Sequence, residues 1–146
     1  MRKGKVFRAG MLIGMAGSVS AGPVLPTGGT VVAGGATIGV TATRVDVVQT
    51  TSRSVINWTS FSIGTGGPVQ FTQPATTSAV LNRVTGADPS SILGTLSANG
   101  QVFLMNPNGI TVGPGGRVET AGLVLTTASI ADGDFMAGLV RVDAPP

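Results

Sequence analysis

The stretch Ser91–Val112, SILGTLSANGQVFLMNPNGITV, limits what this chain can fold into more than any other. Two tight-turn signals lie within it only a few residues apart. Asn99-Gly100 is a strong short turn, because both residues tolerate positive φ. Asn106-Pro107-Asn108-Gly109 is the second: Pro107 sets φ for the first central position, Asn108 suits the next, and Gly109 leaves the turn without a Cβ clash. Between them Gln101–Met105 is an apolar run of strand length, too short for a helix flanked by breakers. Ser91–Ala98 precedes it as a strand. Ile110–Val112 restarts one, and Gly113-Pro114-Gly115-Gly116 stops it. Strand, turn, strand, turn, strand in about two dozen residues predicts a compact coil of β-structure.

The rest of the chain repeats this style. Thr30–Val32 and Thr37–Val40 are short strands around Gly34-Gly35. In Arg44–Thr50, Val45 and Val47 share one face, with Arg44, Asp46 and Val48 on the other. Ser54–Trp58, Ser60–Ile63, Val69–Phe71, Ala79–Val84, Arg117–Glu119, Leu123–Thr126 and Phe135–Val142 are further strand candidates. Trp58 and Phe61 are the largest apolar groups of the first half, and the core is the ordinary place for them. Arg83 fits a structural arginine tying loop carbonyls near Thr85–Pro89. Asp132-Gly133-Asp134 has the look of a calcium-loop fragment but lacks the later ligands, so a plain turn is expected there. Strand spacings of roughly eight to twelve residues suit a sandwich, a barrel or a β-solenoid. Small residues alternating with Val and Ile lean toward the solenoid, although no crisp internal repeat is visible.

Composition closes several functional classes. The chain has 42% apolar and only 10% charged residues, which argues against a solvated, disordered polymer. With His 0 and Cys 0, zinc sites, Cys- or Ser–His nucleophiles and disulfides are not expected, and no cofactor or metal is predicted. The net charge of +3 misleads, because Arg2, Lys3, Lys5 and Arg8 all lie at the start. From Gly22 onward Arg44, Arg53, Arg83, Arg117 and Arg141 face Asp46, Asp88, Glu119, Asp132, Asp134 and Asp143. No basic stripe exists for nucleic acid. The acids are scattered as well, so a polysaccharide lyase or hydrolase with paired carboxylates is disfavoured.

Met1–Ala21 has the layout of a secretory signal peptide: a basic start, an apolar segment from about Ala9 to Val19, then small residues, with cleavage expected after Ala21. The apolar segment is shorter than the roughly 20 residues that span a bilayer.

The blocks NRV at Asn82–Val84, SILGTLSANGQVFLMNPNGI at Ser91–Ile110 and GLVLTTASI at Gly122–Ile130 carry a resemblance. In this order and spacing they resemble the two-partner secretion domain. That is the amino-terminal haemagglutination activity domain of filamentous-haemagglutinin-type adhesins and related haemolysins of Gram-negative bacteria. The similarity starts near Leu25-Pro26-Thr27-Gly28-Gly29, takes in Phe71–Pro74 (FTQP), and runs to about Phe135–Leu139. It implies an all-β fold, a right-handed parallel β-helix whose amino-terminal β-cap is formed by the region of Pro23–Gly39.

By the same resemblance residues 22–146 are a secretion-targeting domain and not an enzyme, a virulence-associated module of type V secretion. Its partners would be the general secretory translocase, by way of the signal peptide, and an outer-membrane β-barrel transporter with POTRA domains. The chain would then fold at the cell surface and nucleate further β-helix. Asn106, Pro107, Asn108 and Gly109 become the secretion motif, with Asn82, Arg83, Asn99 and Gly100 as secondary candidates. The family often carries a second motif, NPNL, of which this chain has no copy. The family domain is also usually longer than the stretch after Ala21, so truncation with an uncovered last coil is expected. The rival function is a free-standing β-helical carbohydrate-binding or adhesive module, for which one Trp, five Phe and no Tyr are a poor supply of stacking surface.

Overall fold

Alternation sets the first strand that carries the core. Val45, Val47 and Gln49 are buried while Asp46 and Val48 are more exposed, so one face of Val45–Gln49 points inward. The computed structural model describes residues 22–139, and within them twelve such strands and one short helix follow in chain order. They are β1 Thr30–Ala33, β2 Ala36–Val40, β3 Val45–Gln49, β4 Arg53–Trp58, β5 Pro68–Thr72 and β6 Ala79–Val84. Then come β7 Ser90–Ile92, β8 Thr95–Ala98, β9 Gln101–Met105, β10 Ile110–Val112, β11 Arg117–Glu119, β12 Gly122–Thr126 and α1 Asp132–Met136. The signal peptide expected over Met1–Ala21 lies outside the described residues, as do Val140–Val142 of the last strand candidate.

The strands form a β-solenoid. One sheet has the order β2-β3-β5-β8-β11, a second β1-β4-β6-β9-β12, and a third β7-β10. Every pairing from β3 onward is parallel, so each coil contributes one strand per sheet and the chain climbs one strand spacing per turn. The coils are β3–β4, β5–β6, β7–β9 and β10–β12. Inward positions stack into continuous columns: Val45, Val69, Leu96 and Val118 in one sheet, and Ile56, Asn82, Leu104 and Leu125 in another. Full burial of such an apolar side chain stabilises the fold by about 1.5–3 kcal/mol.

Only β1 and β2 run antiparallel to their neighbours, β1 on β4 and β2 on β3. They cover the first coil, as the expected amino-terminal cap. Trp58 lies beneath them, 1% exposed, and a Cβ on Gly29 would come within 2.6 Å of its ring. Phe61 meets Trp58 edge-on, 5.5 Å between centroids. Both aromatics are core groups at the junction of cap and coil.

A second apolar cluster lies outside the solenoid. Val55, Leu81 and Phe103 form an outward column on β4, β6 and β9, with Val124 next in register. Ile130 and Phe135 cover it, both fully buried or nearly so. The segment after β12 therefore turns back along the outside of the coils and reaches coil one. There the Arg53 guanidinium donates to the Phe135 carbonyl at 3.2 Å and sits 5.1 Å from its ring centroid.

Several expectations fail for identifiable reasons. Ser60–Ile63 is not a strand: Ser60 and Ile63 make only isolated bridges, to Thr27 and Ile92, because this corner passes between cap and third sheet. Ser91–Ala98 is two strands, β7 and β8, which belong to different sheets. Asn99-Gly100 is a corner between sheets and not a hairpin turn. Phe135 is helical, not extended. Asp132-Gly133-Asp134 opens that helix, its two acids lying in the first turn, where the helix dipole favours them.

Surface charge gives one solution prediction. The Arg44 guanidinium grips the Asp46 carboxylate at 2.7 and 2.8 Å. That hydrogen bonding, helped by charge attraction and opposed by burial, holds the Asp46 carboxyl below its ordinary 3.8. A lowered carboxylate value contributes stability above the unfolded value, lost as pH falls through the lowered one. With His 0 and Cys 0, the melting temperature is expected to stay flat from about pH 5 to 9 and to fall only below about pH 4, as a pH series of thermal melts by circular dichroism would record.

Candidate functional site

The corner at Asn106–Gly109 holds three coils in register. Its turn closes through the Gly109 N–H donating to the Asn106 carbonyl at 3.1 Å. Gly109 has φ 111°, a region that side-chain-bearing residues rarely occupy. Conformation, not crowding, requires glycine there, since a Cβ would meet no atom within 4 Å. Asn106 Oδ1 accepts from the Asn108 N–H at 2.9 Å, an Asx turn laid over the backbone turn.

The same side chain reaches the previous corner. Asn106 Nδ2 donates to the Asp88 carbonyl at 3.0 Å and to Ser90 Oγ at 2.9 Å. Its backbone N–H donates forward to the Thr126 carbonyl of coil four. Asn106 is 0% exposed, with both side-chain atoms satisfied inside the molecule. Asn108 sits differently: its Nδ2 donates to the Gly86 carbonyl at 2.9 Å, yet the residue is partly exposed, and Pro107 beside it is exposed. The motif thus presents a proline–asparagine tip on a rigid, internally pinned base.

The secondary candidates are separate. Asn82 lies in the core, accepting from Trp58 Nε1 at 2.9 Å and donating to the Phe103 carbonyl at 3.2 Å. Arg83 is a structural arginine, but the carbonyl it ties is not in the Thr85–Pro89 loop. Its guanidinium donates to Asn57 Oδ1 at 2.9 Å, to the Ile130 carbonyl at 2.8 Å and to the Asp132 carboxylate. It fastens the returning segment to the coils.

Asn99 and Gly100 form another clamp. Asn99 Oδ1 accepts from the Gln73 N–H and its Nδ2 donates to the Gln73 carbonyl, both at 2.7 Å. Gly100 has no positive φ. It is small because a Cβ would lie 2.7 Å from both Gln73 Oε1 and the Ser78 carbonyl. The N–H of Gly100 donates to that same Oε1 at 2.8 Å.

Gln49 and Gln73 are the members of this corner that sequence reading missed. Gln73 Nε2 donates to Gln49 Oε1 at 3.2 Å, and Gln49 Nε2 to the Ala79 carbonyl at 3.0 Å. A signal was present: each glutamine occupies the third inward position after two apolar ones, Val45 and Val47 or Val69 and Phe71.

Little here supports chemistry on a substrate. Among the described residues no group of His, Cys, Asp and Glu could hold a metal ion. An open groove of about 450 Å³ beside Gln70, Thr72, Ser97 and Asn99 contains a single carboxylate, that of Glu119. One carboxylate is not an acid–base pair. Among the described residues no helix is long and apolar enough to cross a membrane.

Fold and corners together define a capped β-solenoid of the protein-interaction kind, held by asparagine and glutamine clamps. The TPS secretion domain family matches residues 23–142, and the chain belongs to that family. A heme/hemopexin-binding protein of Haemophilus influenzae (strain ATCC 51907 / DSM 11121 / KW20 / Rd) is 42% identical over 106 residues, covering 73% of this chain and 12% of the relative. A second Haemophilus influenzae protein of the same description is 40% identical over 90 residues, covering 62% and 10% respectively. The chain therefore spans about an eighth or less of these relatives' length. The crystal structure of the HMW1 secretion domain from Haemophilus influenzae superposes with a TM-score of 0.72 at 38% identity, covering 77% of this chain and 30% of the other.

Proposed function

We propose that the chain is the targeting part of a large exoprotein of a Gram-negative bacterium. Residues 1–21 act as a signal peptide, cleaved after Ala21, that hands the chain to the general secretory translocase. Residues 22–146 are then read in the periplasm by the POTRA domains of a cognate outer-membrane β-barrel transporter, and their folding outside nucleates further coils. No catalytic step is assigned to them. The family membership supports the reading, and the observation that carries its detail is the split within the secretion motif. Asn106 is committed to the fold, whereas Pro107 and Asn108 are displayed for a partner.

Heme binding is not carried over from the relatives. Haem iron takes His, Cys, Met or Tyr, and this chain has Met alone among them. Nor does the adhesive alternative gain support: among the described residues Trp58, Phe61, Phe71, Phe103 and Phe135 are all buried, leaving no aromatic platform for a sugar.

Co-expression in a Gram-negative host with and without the cognate transporter tests the proposal. Release into the medium is expected only with the transporter present, and amino-terminal sequencing of the product is expected to begin at Gly22. Retention in the periplasm in both arms would sink it.

A further inference from the structure

The carboxy-terminal end of the solenoid carries a pattern that its own coils leave unused. Strands β10, β11 and β12 each pair on one side only, with β7, β8 and β9, so their other edges have no partner among the described residues. Inward positions that are fully buried one coil earlier open here. Leu104 is 0% exposed but Leu125, next in its column, is 37% exposed; Ile92 is 0% and Val112 is 44%. Leu123, below Val102, is 36% exposed. The described residues after β12 do not cover this end, because Ile130 and Phe135 lead the chain back to the β4–β6–β9 face. An uncovered edge of this kind is a ready template for another strand.

The order of side chains around the end is self-complementary. β11 reads Arg117-Val118-Glu119, and both charged side chains are more than half exposed and salt-bridged to each other. A twofold axis passing beside Val118 would lay β11 antiparallel on its copy. Arg117 would then face Glu119 of the second molecule, and Glu119 its Arg117. The same rotation exchanges the other two faces, setting β12 on β10 of the copy. Leu123 and Leu125 would close over Ile110 and Val112, so all three bare edges are paired at once.

We infer that the end coil is an isologous docking surface for a second copy of this chain, joined antiparallel through β11 with reciprocal Arg117–Glu119 pairs. Directly opposed unlike charges favour this cross-strand register, and like charges disfavour it. A closed twofold contact uses up both exposed ends and stops at the dimer.

Sedimentation velocity on the chain, wild type and three variants, tests this. Wild type is expected to shift from monomer to dimer over about 1–100 μM. Arg117→Glu and Glu119→Arg each place like charges across the axis and are expected to weaken dimerisation at least about tenfold. The double exchange, Arg117→Glu with Glu119→Arg, restores opposite charges on both sides. It is expected to return the dimer to within about threefold of wild type. All four proteins should melt alike, since these side chains are exposed and bond only to one another. A wild type that stays monomeric throughout would overturn the inference and leave the end for a different occupant. So would single variants that dimerise like wild type, or a double exchange as weak as the singles.

Discussion

Replacing Trp58 by alanine is expected to remove about 3–5 kcal/mol of stability, the loss usual for a large buried aromatic. Domains of this size hold about 5–15 kcal/mol in all, so the variant should melt about 10–20 °C lower in a thermal scan. Three losses combine at this position. The ring fills the space beneath the cap, where Gly29 admits it by having no side chain. Its edge-on contact with Phe61 goes too. And Asn82, 0% exposed, loses the Nε1–H that its Oδ1 accepts at 2.9 Å.

A double-mutant cycle separates these. Trp58→Phe keeps most of the packing and orphans one buried acceptor, a cost of about 1–3 kcal/mol. Asn82→Leu orphans the indole N–H and the Phe103 carbonyl instead. The pair together leaves fewer unmatched groups than the singles added up, so the combined loss is expected to be smaller than their sum. Strict additivity would show that the Trp58–Asn82 bond contributes nothing to the fold.

The same two residues mark how far the sequence could be read. Trp58 as a core anchor at the cap was legible, because a large aromatic in a chain with few of them has one economical place to go. Ala79–Val84 and Arg117–Glu119 were legible to the residue, as short β-prone runs between turn formers. The solenoid itself was not legible from spacing, and the register explains why. Ile92 lies beside Val112, Leu96 beside Val118 and Val102 beside Leu123, offsets of 20, 22 and 21 residues. Between the earlier coils Val69 pairs with Leu96 and Val55 with Leu81, offsets of 27 and 26. Corner loops such as Thr85–Pro89 absorb the difference, so the spatial repeat is strict while the sequence repeat drifts. Resemblance to a family carried that step.

The corners were half legible. Turn chemistry located both Asn99-Gly100 and Asn106–Gly109, but a hairpin and a solenoid corner use the same residues for different ends. In a hairpin Gly100 would supply positive φ, whereas here it makes room for Gln73 and Ser78. Long-range partners are invisible to local propensity. Arg83 could be recognised as a tie, but nothing nearby in sequence points to Ile130 and Asp132. The helix at Asp132–Met136 was missed for a similar reason. Its five residues are too few for helical periodicity, and its stability comes from Phe135 docking edge-on against Phe103, 5.2 Å between centroids.

The motif at Asn106–Gly109 is expected to split into a folding half and a display half when its asparagines are replaced one at a time. Asn106→Ala removes the Asx bond to Asn108 and both bonds to the previous corner, leaving the Asp88 carbonyl and Ser90 Oγ short of a donor. For a fully buried residue this is expected to cost about 2–3 kcal/mol, measured by urea unfolding. Asn106→Asp should be no milder: the atom that donated becomes an acceptor facing a carbonyl, and a buried charge has no counter-ion there. Asn108→Ala loses one exposed bond to the Gly86 carbonyl and is expected to cost less than about 1 kcal/mol. The two variants therefore enter a secretion assay with very different folds but neighbouring lesions. If the displayed tip is what a transporter contacts, Asn108→Ala should lose transporter-dependent release while its unfolding curve stays near wild type. If the motif serves folding alone, release should follow stability, with Asn106→Ala impaired and Asn108→Ala close to normal. That second result would remove Pro107 and Asn108 from the recognition surface and leave the motif as a corner that lets the third and fourth coils form.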